Sequence, residues 1–186
     1  MKLQLAASFD MKDLGELHYF LGIEVIRTPE GIFISQRHYV PSMLFKFGMA
    51  YCKPVSTPLD RTVKLRPDFG KVGDPTRFRQ IVGSLIYLTI TRPDLSYPVK
   101  VISQFMARPT EEHLQCVQRI LRYVSGTKDR GLLYRAATAA RLVGYTDADW
   151  DHRSTSGYAF SLGSAAIAWS SKKQPTVALS STKAEY

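Results

Sequence analysis

Apolar positions recur along this chain with two different periods, and the changes of period divide it. From residue 17 to residue 36 the spacing is that of strands, broken once by Thr28-Pro-Glu-Gly31. Proline sets the first corner of such a turn and glycine absorbs an unusual φ, so 17–36 is predicted to be a β-hairpin. From Tyr39 to Phe47 the period lengthens. Val40, Met43, Leu44 and Phe47 fall on one face of a helix that Gly48 stops, with Pro41 tolerated in its first turn. Residues 51–75 then lose periodicity and hold Pro54, Pro58, Pro67, Gly70, Gly73 and Pro75, the composition of a linker.

Helical spacing returns at Asp74. Phe78, Ile81, Val82, Leu85, Ile86 and Leu88 predict a helix over 77–91, which Thr91-Arg-Pro-Asp94 breaks. Asp94 can cap a second helix with Val99, Ile102, Phe105 and Met106 inward, or it can lock the helix–helix turn with Arg92; the lock is the favoured role. Thr110 caps a third helix, with Leu114, Val117, Ile120, Leu121 and Val124 inward and Ser125-Gly126 as its stop. Strand-like runs follow at 132–134, at 142–145, at 156–162 with Tyr158, Phe160 and Leu162 alternating, and at 166–170 around Trp169. Ser180 or Thr182 reads as the cap of a last helix. The predicted class is α+β.

Charge adds a partner to this picture. A net charge of +9 and a pI near 9.6 suit a polyanion. Residues 71–135 hold eleven Lys or Arg against five Asp or Glu, so +6 of the +9 sits on the helical region. There Arg77 and Arg79, Arg119 and Arg122, and Lys128 and Arg130 are candidates for phosphate contacts, each pair being readable also as a solvated helix face. Cys52 and Cys116 have no paired spacing and read as free thiols in a reducing compartment. No apolar run approaches a membrane span, and the first eight residues turn polar too soon for a signal peptide, so the expected location is intracellular. His18, His38, His113 and His152 show no zinc-site spacing and read as surface or satisfied histidines.

The candidate chemistry lies near the end. Gly144-Tyr-Thr-Asp-Ala-Asp-Trp150 reads as a short strand that ends where its carboxylates begin. Two more strands and a helix carrying Glu185 can bring Glu185 and Asp147 together. Two carboxylates facing one space suit a hard cation such as Mg²⁺.

The motifs GYTDADW, RSTSGYAFSLG and AWSSKKQPTVALSSTKAEY resemble the ribonuclease H domain of copia-type LTR-retrotransposon Pol polyproteins. MKDLGELHYFLGIEV and GIFISQRHYV resemble the reverse transcriptase of the same polyproteins just after its catalytic Asp-Asp motif. VGSLIYLTITRPDLSYPV, PTEEHL and ILRYVSGTKDRGLLY resemble the part between, so the likeness is collinear over about residues 9–186. It implies the end of a polymerase palm in 1–50, a linker in 51–75, a helical thumb- or connection-like region in 76–135 and a ribonuclease H-like domain in 136–186. It also implies that Phe20, Leu21 and Gly22 border the primer terminus, and that Asp147 and Glu185 are two of four metal-binding carboxylates. Template–primer or RNA–DNA hybrid and Mg²⁺ are the partners it implies.

The polymerase Asp-Asp pair is expected to precede Met1 and the other two carboxylates to follow Tyr186, and the stretch between Trp150 and Arg153 is shorter than the family's. The expectation is therefore an inactive fragment of a polyprotein that makes DNA on RNA and hydrolyses RNA in hybrids. The competing expectation is a non-catalytic basic nucleic-acid-binding module.

Overall fold

The structure is a computed structural model that describes residues 15–60, 65–67, 70–136, 139–149 and 155–174. It opens on three antiparallel strands, β1 (Tyr19–Phe20), β2 (Ile23–Thr28) and β3 (Gly31–Ser35). Pro29 and Glu30 turn the chain between β2 and β3, and the Thr28 hydroxyl closes the corner on the Gly31 carbonyl at 3.1 Å. Four helices are described: α1 (Tyr39–Lys46), α2 (Pro75–Leu88), α3 (Ser96–Ser103) and α4 (Glu111–Gly126). Then come β4 (Gly131–Arg135), β5 (Leu142–Asp149), β6 (Thr155–Leu162) and β7 (Ala165–Lys173). The α+β class is borne out: two antiparallel sheets, β1-β2-β3-β4 and β5-β6-β7, stand beside the helices.

Periodicity placed the core well. Val40, Met43, Leu44 and Phe47 of the α1 segment meet Phe78, Ile81, Val82, Leu85 and Leu88 of α2. Leu95, Val99 and Ile102 close one side, and Val117, Ile120, Leu121 and Val124 of α4 the other. Ile86 was expected inward but is 45% exposed. The apolar arc of α2 is wider than the face its neighbours cover. The start of α2 is fixed locally: Asp74 Oδ1 accepts the N–H groups of Thr76 and Arg77 at 2.9 and 3.1 Å, and Pro75 has no N–H to satisfy. The described residues of 51–74 are irregular except for a bridge between Val72 and Thr110, yet Val55 and Leu65 pack on the core.

Two local features differ from the sequence reading. A 3₁₀ turn, Pro93–Leu95, leads into α3, and Asp94 caps nothing there. Its carboxylate grips Arg92 in two bonds of 2.9 and 2.7 Å, which is the lock favoured from the sequence. Strand β5 does not end at the carboxylates. It pairs with β6 from Leu142 opposite Leu162 through Asp149 opposite Thr155, which places Asp147 inside the ladder.

Strand β4 is what joins the two ends of the fold. It pairs with β3 from Gly31 opposite Arg135 to Ser35 opposite Gly131, so the chain after α4 completes the first sheet. The same strand holds the second sheet. Tyr134 Oη donates to the Ala166 carbonyl at 2.7 Å, and Ser164 Oγ accepts the Arg135 N–H at 2.8 Å and donates to the Leu133 carbonyl at 2.9 Å. From β7, Trp169 Nε1 donates to the Thr89 carbonyl at the end of α2, at 3.1 Å. Among the described residues no helix is long and apolar enough to cross a membrane.

Candidate nucleic-acid interface

The turn between β1 and β2 is made by Leu21 and Gly22 alone, because Phe20 already pairs with Ile23. A two-residue hairpin turn of this hand requires positive φ at both central residues. Leu21 has φ 48° and Gly22 φ 79°. Glycine suits the second position doubly, since a Cβ there would lie 2.7 Å from the Tyr87 hydroxyl. Leucine does not suit the first: it is the one non-glycine residue with positive φ among those described. Its side chain is 72% exposed, with Phe20 at 57% and Tyr19 at 59%. The hairpin therefore ends in an apolar, strained tip turned to solvent, at the three positions singled out from the sequence.

Below the tip the hairpin is stiffened by a buried carboxylate. Glu24 is 5% exposed and accepts from Arg37 Nε at 2.8 Å and from the His38 backbone N–H at 3.0 Å, and it meets His38 Nδ1 at 2.6 Å. Burial pushes its carboxyl up, but the bonds from His38 and Arg37 outweigh that and hold it below the usual glutamate range. Gln36, 1% exposed, continues the link: it accepts from the Thr91 hydroxyl at 2.8 Å and donates to the Tyr87 carbonyl at 3.4 Å. Sequence reasoning missed this cluster, although Glu24 in an apolar strand was its signal.

Of the six basic candidates, five also bond within the chain. Arg77 reaches the Phe47 carbonyl at 3.3 Å, and Arg79 reaches those of Met106 and Ala107 at 2.8 and 3.4 Å. Arg119 donates to Thr57 Oγ1 at 3.0 Å, and Arg122 to the Lys53 carbonyl at 2.7 Å. They pin segment 53–57 to α4. Arg130 donates to Tyr123 Oη at 2.9 Å, while Lys128 is exposed. A guanidinium carries five N–H groups, so those bonds leave donors for phosphate on each.

Tyr123 belongs to a second cluster around Arg92, which is 2% exposed. Arg92 donates to Asp94, to the Thr127 carbonyl and to Thr127 Oγ1, and Tyr123 Oη donates to Asp94 Oδ2 at 2.8 Å. Burial pushes the Asp94 carboxyl up, yet Arg92 and Tyr123 prevail and hold it below the usual aspartate range. The same burial, with the Asp94 charge, raises the Tyr123 phenol. His113 is buried at the start of α4, where Nδ1 accepts the Thr110 N–H at 3.0 Å. Burial lowers its pKa, outweighing the Arg66 carbonyl and the Glu112 charge, and its buried Nε2 has no hydrogen-bond partner among the described residues, so the satisfied histidine expected from the sequence is satisfied at Nδ1 alone.

In the second sheet Asp147 is exposed, on the row that crosses Gly157 and reaches Ser171. Glu185, its expected partner, lies outside the described residues, as do His152 and the Ser180 and Thr182 caps. Among the described residues no three His, Cys, Asp or Glu converge on one point. Asp147 alone offers a hard cation one ligand of the several it takes.

Residues 1–61 match the family model of the reverse transcriptase (RNA-dependent DNA polymerase). Over 98% of its length the chain is 50% identical to the retrovirus-related Pol polyprotein from transposon RE1 of Arabidopsis thaliana. It is 39% identical over its full length to the Pol polyprotein from transposon TNT 1-94 of Nicotiana tabacum. It spans 13% and 15% of the lengths of those two relatives. An uncharacterized mitochondrial protein of Arabidopsis thaliana is 45% identical over 98% of the chain, which covers 78% of that relative. No solved structure matches the chain. The chain belongs to the Pol polyprotein family of copia-type LTR retrotransposons.

Proposed function

We propose that these residues form a nucleic-acid-facing part of a reverse transcriptase and ribonuclease H polyprotein. In this reading the parent activities are DNA synthesis on an RNA template and hydrolysis of RNA in RNA–DNA hybrids. Residues 1–50 end the polymerase palm, 51–75 link, 76–135 form the thumb- or connection-like region and 136–186 the ribonuclease H-like domain. Phe20, Leu21 and Gly22 meet the primer end of the template–primer duplex. Arg77, Arg79, Arg119, Arg122, Lys128 and Arg130 offer charge to the backbone of the same duplex.

The observation that carries this reading is the tip itself. Strain of about 1–2 kcal/mol at a left-handed leucine goes with an exposed apolar side chain that is not part of the core among the described residues. A partner surface gives it a purpose. The test is the affinity for a labelled RNA–DNA template–primer of the chain and of its Phe20→Ala and Leu21→Ala variants. Each variant is expected to bind several-fold more weakly with an unchanged melting temperature. Equal affinity for all three contradicts the reading.

For chemistry, reverse transcriptases as a family use divalent metal, and Mg²⁺ is the ion proposed for Asp147 and Glu185. The 186 residues supply these two carboxylates and contain no Asp-Asp pair. A two-metal hydrolysis needs both ions bridged and flanked by carboxylates. We therefore assign to these residues by themselves binding without turnover, in which the alternative of a non-catalytic basic module coincides with this reading.

A further inference from the structure

Between α3 and β7 lies a cleft of about 310 Å³ whose wall is part apolar, from Ile86, Val99 and Trp169, and part polar, with Lys100, Ser103 and Ser171 among its polar residues. It differs in chemistry from a second cavity, about 300 Å³ beneath the hairpin tip, whose walls are almost wholly apolar. In the α3–β7 cleft the Ser103 and Thr89 hydroxyls donate to the Lys100 and Ile86 carbonyls at 2.8 and 2.7 Å, which leaves their oxygens as acceptors. Ser96 Oγ is different: it is buried and has no hydrogen-bond partner among the described residues. Among the described residues no carboxylate pairs with Lys100. A cation with serine hydroxyls around it matches the side chains that contact phosphate and sugar oxygens.

The register of the second sheet connects this cleft to Asp147. Ser171 stands opposite Gly157, and Gly157 opposite Asp147. Directly opposed residues of antiparallel strands project from the same face, and two strand spacings separate Asp147 from Ser171 by about 10 Å. Gly157 carries no side chain, so nothing stands on the row between them. A Cβ at 157 would meet only the Ser170 and Asp147 carbonyls at 3.7 and 4.0 Å, ordinary contacts, so folding does not require the gap.

We propose that the α3–β7 cleft seats the backbone of one strand of a bound nucleic-acid duplex. Lys100 contacts a phosphate there, Ser171 donates to a neighbouring oxygen, and the strand crosses Gly157 toward Asp147. This rests on the nucleic-acid reading above and gives the second sheet a binding role that needs no metal.

The test is equilibrium binding of a fluorescent RNA–DNA hybrid at several salt concentrations. Wild type is compared with Lys100→Gln, Lys100→Arg and Gly157→Val, each checked for an unchanged melting curve. Loss of one phosphate contact lowers the slope of log K against log salt by about 0.9 and the affinity roughly eightfold at 0.1 M salt. Lys100→Gln is expected to show both changes, and Lys100→Arg neither. Gly157→Val, which puts a branched side chain on the open row, is expected to weaken binding with little change of slope. A wild type that binds while Lys100→Gln keeps its slope and affinity overturns the cleft and leaves the wider reading standing. A wild type that binds no hybrid overturns both.

Discussion

The indole N–H of Trp169 donates to the carbonyl of Thr89 at 3.1 Å, so the second sheet is fastened to the end of α2. That carbonyl lies past the last turn of the helix, where no backbone N–H follows to take it up. Trp169→Phe keeps the ring and removes the bond. It is expected to lower stability by about 1 kcal/mol, read from urea unfolding. Hydrogen exchange should quicken in β7 before it does in α4.

The lock between Arg92 and Asp94 is expected to matter more. Asp94→Asn leaves a guanidinium that is 2% exposed without its counter-charge. Breaking a fully buried pair costs about 3–5 kcal/mol; here about 2 kcal/mol is expected, because the Asp94 side chain is 32% exposed. Chemical denaturation of the variant measures it.

Acid should expose the same pair and the Glu24 cluster. Both carboxyls are held below their ordinary values, so their stabilisation is complete above about pH 4.3 and is lost as pH falls through the folded values. Stability of the wild type should therefore fall steeply below about pH 4. The Asp94→Asn variant should fall less over that window, being weaker already at neutral pH. Equal slopes would remove the argument.

At the hairpin tip, stability and binding are expected to part. Leu21→Gly relieves the left-handed strain and should raise stability by up to about 1 kcal/mol. It also deletes the exposed side chain, so affinity for template–primer should drop. A variant that is both more stable and equally tight would show that the leucine serves no partner.

Much of this architecture was legible in the residues themselves. Phe78, Ile81, Val82 and Leu85 announce the buried face of α2, and the alternation of Tyr158, Phe160 and Leu162 announces β6, because each pattern is local. What needed distant partners was hidden. Gly131–Arg135 is a five-residue strand that any edge could take, and only the fold selects β3. The grip of Asp94 on Arg92 was legible, but the bonds that Tyr123 of α4 and Thr127 just after it add were not. The arginines at 79 and 122 look free in a sequence because the carbonyls they reach leave no trace there. Leu21 gave no sign of its conformation, since leucine is not a turn-forming residue. Asp147 was visible as chemistry, and its expected partner Glu185 lies outside the described residues.

The central claim, that this basic chain faces a nucleic-acid duplex, is tested most directly by the salt dependence of its affinity for an RNA–DNA hybrid. If three phosphates are neutralised, raising salt from about 50 to 200 mM should weaken binding roughly fortyfold, whatever the base sequence of the hybrid. Affinity that is absent, or that stays level across that range, would contradict it.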